Sequence, residues 1–186
     1  KLLHIGLNKG LERMEHDTFN RCVSLQNIIL PSTVKTIGSS AFYGCRKLIH
    51  VELNKGLEMI EHHTFNRCFS LQNIKLPSST VEIGSCAFEG CAKLIHLVQR
   101  NEGLEGIEDG AFKGCTSLEK IILPSTVKTI GTSAFHGCAK LTHIGLNEGL
   151  ESIEHGAFQG CTSLENILLP STVKKIGDSA FEGCAQ

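Results

Sequence analysis

Phenylalanine recurs at positions 19, 42, 65, 88, 112, 135, 158 and 181, a step of 23 residues with a single step of 24. Three residues after each of these stands a cysteine, at 22, 45, 68, 91, 115, 138, 161 and 184. A unit this short cannot bury its own apolar edge, but it can when stacked on its neighbours, so the period defines a solenoid. Eight units fill almost all of the 186 residues, with no linker or shift of composition between them. The chain therefore reads as one array spanning 1–186.

Within a unit such as CRKLIHVELNKGLEMIEHHTF, apolar residues fall at Leu48, Val51, Leu53, Leu57, Ile60 and Phe65. Val51 and Leu53 alternate with His50 and Glu52 at period two, which predicts a short strand. Leu57 to Ile60 predicts a second extended segment on another wall of the coil. The small residues of SSAFYGC suit one tight helical turn closed at glycine. Parallel strands stack about 4.8 Å apart, so the array is roughly 35–40 Å long.

A longer period is superimposed. The residue after the strand leucine alternates Asn8, Pro31, Asn54, Pro77, Asn101, Pro124, Asn147, Pro170, so the duplicated block is a pair of units. Seven residues before each phenylalanine stand Glu12, Lys35, Glu58, Val81, Glu105, Lys128, Glu151 and Lys174. In a stack, opposite charges face each other along nearly the whole column, an exposed ladder that disfavours slipped stacking. Exposed pairs of this kind contribute about 0–1 kcal/mol each.

The pattern LPSTVKTIGSSAFYGCRKLIHVEL resembles the leucine-rich repeats of BspA type, and the resemblance covers the whole chain. It implies a leucine-rich-repeat solenoid of about eight 23-residue coils. A parallel β-sheet would line the concave face, with short helical turns or second short strands elsewhere. It also implies a non-catalytic module for adhesion or recognition of a protein or glycoprotein, at a cell surface or secreted. A structural spacer or self-assembling scaffold without a specific ligand is the alternative.

The strand opening each unit is the expected concave sheet, and its outward positions are the candidate ligand-binding residues. One column runs His4, Asn27, His50, Asn73, an irregular place, Lys120, His143 and Asn166. The irregular place holds Leu97 when counted back from Phe112 and His96 when counted forward from Cys91. The next column holds Gly6, Ile29, Glu52, Lys75, Ile122, Gly145 and Leu168. Apolar anchors among imidazoles, amides and charges suit protein recognition. The same columns also follow if His and Asn persist simply because duplicated units are alike. The one extra residue, in HLVQRNEGLEGIE, suggests a β-bulge at Val98, Gln99 and Arg100, which is a functional surface or a tolerated duplication error.

Metal binding is not expected, despite nine His and nine Cys. Histidines on the concave column recur every second unit, about 9.6 Å apart, whereas Zn–N bonds are about 2 Å. His62 and His63 form a local pair without other evident ligands, and neither CxxC nor HExxH occurs. Eight cysteines share one slot beside the phenylalanine, where small apolar residues fit; stacking at about 5 Å puts neighbours within disulfide range, but parallel side chains in one column favour reduced thiols. The ninth, Cys86, replaces the serine of other units and reads as the most reactive thiol.

No phosphate loop, nucleophile elbow or unrepeated constellation of nucleophile and base is present, so neither an enzyme nor a cofactor is expected. A formal charge of −1 argues against nucleic acid as a partner. No apolar run reaches the roughly 20 residues of a membrane span. The N-terminal stretch KLLHIGLNKG lacks the pattern of a signal peptide. Lys1 and Gln186 fall at the same phase of the unit, which suggests a fragment of a longer array without its caps. Exposed end coils would allow weak end-to-end self-association.

Overall fold

A computed structural model describes residues 2–98 and 103–184 as a parallel β-solenoid. Its strands form two sheets, one on each of two walls. The first has six strands: Asn27–Ile29, His50–Glu52, Asn73–Lys75, His96–Val98, Lys120–Ile122 and His143–Gly145. These pair in chain order, each with the strand one coil away. The second has eight two-residue strands, from Arg13–Met14 to Lys175–Ile176, with about seven full turns between the first and the last. The register follows the sequence period, with Met14 opposite Ile37, Ile37 opposite Ile60 and Ile60 opposite Ile83. Both short strands expected from the unit are therefore present.

The core is made of repeated slots. Val51 is 2% exposed between the exposed His50 and Glu52, the alternation that assigned this strand. Seven successive pairs of phenylalanine rings stack along the axis with centroids 5.2–5.4 Å apart. That separation lies within the range of offset aromatic pairs and matches the strand spacing closely. One chain period thus sets both the sheet and the ring column.

The expected helical turn is absent; among the described residues the structure contains no helix. Around Phe42 the backbone N–H groups alternate in direction. Those of Ser40, Phe42 and Gly44 donate to His62, Thr64 and Asn66 of the next coil, at 2.8–3.0 Å. Those of Ala41, Tyr43 and Cys45 donate three residues back within their own coil. Half the donors a helix would use are committed between coils, so the segment becomes linked tight turns. Ser40 and Gly44 adopt φ of 58° and 67°, and the same two positions are left-handed in the other coils, for example His63 with Arg67 and Cys86 with Gly90.

The two-coil period has a packing cause. A Cβ on Gly38, Gly84, Gly131 or Gly177 would stand 2.5–2.9 Å from backbone atoms of the preceding coil. Only glycine lets these coils approach. In the intervening coils Asn54, 8% exposed, donates from Nδ2 to the carbonyls of Pro31 at 2.9 Å and Val34 at 2.6 Å. Asn147 Nδ2 likewise donates to the preceding coil, there to the carbonyl of Leu123, the residue before the proline. The charge ladder is realised mainly in the backbone, where Lys35 N–H donates to Glu12 and Glu58 N–H to Lys35. Of that column, only Lys174 and Glu151 form an ion pair among the described residues, at 3.0 Å.

Candidate functional site

The six-stranded sheet presents the expected columns outward. His4 bridges to Asn27, and Asn27, His50, Asn73, His96, Lys120 and His143 then stand opposite one another in turn. The irregular place therefore belongs to His96, which is exposed, while Leu97 is 7% exposed and lies in the core. Asn166 is exposed but lies in a coil without a strand on this wall.

In the second column Ile29 stands opposite Glu52, Lys75 opposite Val98 and Ile122 opposite Gly145. Ile29, Ile122 and Leu168 are 60%, 66% and 88% exposed. A hollow of about 660 Å³ opens at His50, Glu52, Asn73 and Lys75, bounded by Ser32 and Pro77. It brings two imidazole-column residues, a carboxylate and an ammonium to one place, the mixed chemistry of a protein-recognition surface.

Val98 keeps its register with Lys75, whereas Gly106 pairs with Glu82, 24 residues earlier. The extra residue thus falls between Val98 and Gly106. Gln99 and Arg100, the rest of the expected bulge, lie outside the described residues.

A second surface escaped sequence reading. Arg21, Val23, Tyr43, Arg46 and Arg67 line a shallow hollow of about 320 Å³ on the turn wall. The Arg67 guanidinium lies over the Tyr43 ring at 5.8 Å, and that of Arg46 over Phe69 at 5.9 Å. Phe69, 39% exposed, stands outside the ring column, and Tyr43 is the chain's one tyrosine. Arginine–aromatic contacts of this kind are enriched where proteins bind each other. The clue in the sequence was the break in the repeat: Val23, Arg46 and Phe69 hold one slot that later coils fill with Ala92, Thr116, Ala139 and Thr162.

All nine cysteines are free thiols. Each core Sγ donates to the carbonyl of the phenylalanine one coil earlier, as from Cys45 to Phe19 and from Cys91 to Phe65, both at 3.1 Å. Burial, joined by neighbouring thiols, pushes Cys45 and Cys161 up to about 12. Cys86 is half-buried at a left-handed position with φ of 55°. Burial first, then the adjacent Glu89 carboxylate, pushes it up to about 11. Cys86 is more exposed than the buried ladder thiols, as expected, although burial and Glu89 still disfavour its thiolate, the nucleophilic form.

The spacing argument against metal holds for the sheet column, where histidines alternate with Asn27, Asn73 and Lys120. It does not hold for His63. Among the described residues, His63, Cys86 and Glu89 bring ligating atoms within 4.8 Å of one another. Adjacent coils supply them, so no local spacing announced the group.

Two stacked parallel sheets, one period of 23 residues and an outward-facing variable strand define a leucine-rich-repeat solenoid. The chain belongs to the BspA type leucine-rich repeat family, whose description is matched over residues 1–102 and 95–186. It is similar in structure to a leucine-rich repeat protein of T. pallidum, at 35% identity and a TM-score of 0.81, over 88% of this chain and 78% of that one. A leucine-rich repeat protein of Eubacterium ventriosum is 26% identical with a TM-score of 0.81, over 88% of this chain and 45% of that one. A leucine-rich cell surface protein of Faecalibacterium prausnitzii is 25% identical with a TM-score of 0.67, over 98% of this chain and 45% of that one. No curated protein matches the chain.

Proposed function

We propose that this chain is a non-catalytic recognition module that binds a protein or glycoprotein through the outward face of its six-stranded sheet, in adhesion at a cell surface. One observation carries the reading. Outward positions of this sheet change even between coils of the same kind, from Asn27 and Ile29 to Asn73 and Lys75 to Lys120 and Ile122, while the inward slots Ile28, Ile74 and Ile121 stay apolar and buried. A scaffold that only stacks has no use for that variation. The cell-surface description of the F. prausnitzii protein is consistent with the compartment.

The test is binding of the purified chain to a panel of extracellular-matrix and cell-surface glycoproteins. The main variant replaces His50, Glu52, Asn73 and Lys75 with alanine, after circular dichroism and melting have established an intact fold. Saturable binding lost in this variant supports the sheet as the site. Binding that survives there but is lost on replacing Arg46, Arg67 and Phe69 moves the site to the turn wall. No binding by the parent chain favours the spacer, whose exposed terminal residues such as Leu168 and Ile176 would then show end-to-end association on sedimentation.

A further inference from the structure

In every coil one residue lies two before the phenylalanine, at a left-handed position, and one lies directly after it. The first column reads Asp17, Ser40, His63, Cys86, Gly110, Ser133, Gly156 and Ser179; the second reads Asn20, Tyr43, Asn66, Glu89, Lys113, His136, Gln159 and Glu182. Only at the third and fourth coils do an imidazole, a thiol and a carboxylate meet. We infer that His63, Cys86 and Glu89 form a binding site for a divalent transition-metal ion of the zinc class, clipped across two neighbouring coils.

Four observations support this. The donor set, nitrogen, sulfur and oxygen from three side chains, suits Zn²⁺, and thiolate plus carboxylate balance its charge. The ligating atoms already lie within 4.8 Å of one another. With metal–ligand bonds of about 2.0–2.3 Å, tetrahedral ligands stand roughly 3.5 Å apart, so closure needs only small side-chain rotations.

The backbone beneath is fixed. His63 N–H donates to Ser85 at 2.9 Å, Cys86 N–H to Asp109 at 2.8 Å, and Glu89 N–H back to Cys86 at 3.2 Å. The next residue in the column is Gly110, where a Cβ would stand 3.0 Å from the Cys86 sulfur, so its absence leaves the sulfur room.

The fourth observation is Asn66. This side chain is 3% exposed, and its Nδ2 donates to Glu89 Oε2 at 2.8 Å and lies 3.1 Å from His63 Nδ1. Its Oδ1 is buried without a hydrogen-bond partner. An amide that orients one ligand is what metal sites place behind their donors. Half a turn of the same amide would present the unpaired oxygen as a fourth donor.

The test is a Co²⁺ titration of the metal-free chain in reducing, chelator-free buffer. One equivalent is expected to give a sulfur-to-cobalt charge-transfer band that Zn²⁺ abolishes. Cys86→Ser, which installs the residue three other coils carry there, should remove the band. His63→Ser and Glu89→Gln should each weaken binding by more than about tenfold, the scale of losing even an outer-shell partner. Cys22→Ser should leave the band intact. Zn²⁺ should also raise the melting temperature of the parent chain and not that of Cys86→Ser. No band at one equivalent, a band that persists in Cys86→Ser, or one lost in Cys22→Ser overturns the site.

Discussion

The Sγ of Cys68 donates to the carbonyl oxygen of Phe42, 3.1 Å away and one coil earlier. The contact recurs along the ladder and ties each ring-bearing turn to the next, so the thiols act as structural donors. Their ionisation therefore works against folding. The unfolded thiol ionises near 9.0, while Cys45 and Cys161 in the fold are pushed up to about 12. Between those values the unfolded chain holds fewer protons, so stability falls as pH rises through that window. Melting temperature measured from pH 8 to 12 should drop there, and less steeply in a Cys45→Ala, Cys161→Ala double variant.

The phenylalanine column should be the most sensitive part of the core. Phe88 is fully buried between the rings of Phe65 and Phe112 at 5.4 and 5.3 Å, whereas Phe181 stacks on one ring and is half-buried. Phe88→Ala should cost about 3–5 kcal/mol by loss of burial and a cavity. Phe181→Ala should cost clearly less. Urea unfolding of both variants measures the difference.

Glycine at the coil contact should resist even a methyl group. A Cβ on Gly131 would stand 2.7 Å from the backbone of Glu108 and Asp109, while one on Gly6 meets nothing within 4 Å. Gly131→Ala should lose about 1–3 kcal/mol through forced separation of coils. Gly6→Ala should stay within about 0.5 kcal/mol. Equal effects on melting would refute the packing account of the two-coil period.

The asparagine column offers an internal comparison. Asn54 is buried and bonds two carbonyls of the preceding coil, while Asn8 is exposed and its Oδ1 accepts from Gly10 N–H. Asn54→Ala should cost about 1–3 kcal/mol by stranding the Val34 carbonyl. Asn8→Ala should change stability by less than about 0.5 kcal/mol. Chemical denaturation of the two single variants decides the matter.

Whatever repeats was legible in the sequence. The period placed Val51 and Ile74 inward, His50 and Asn73 outward, and the phenylalanines and cysteines in shared slots, because in a stack each position sees only its own copy one coil away. For the same reason the sheet column could be written down in advance, including His96 as one of two options at the insertion. Tertiary structure decided what depends on direction within a turn. The small-residue segment forms no helix because its donors at Ser40, Phe42 and Gly44 bond to the next coil, a partner that local propensity does not include. Arg67 reaches Tyr43, and His63 meets Cys86 and Glu89, because left-handed turns aim unrepeated side chains across the coil boundary. Periodicity specifies a backbone and its core; the contacts of residues that occur once arise only when neighbouring coils are brought together.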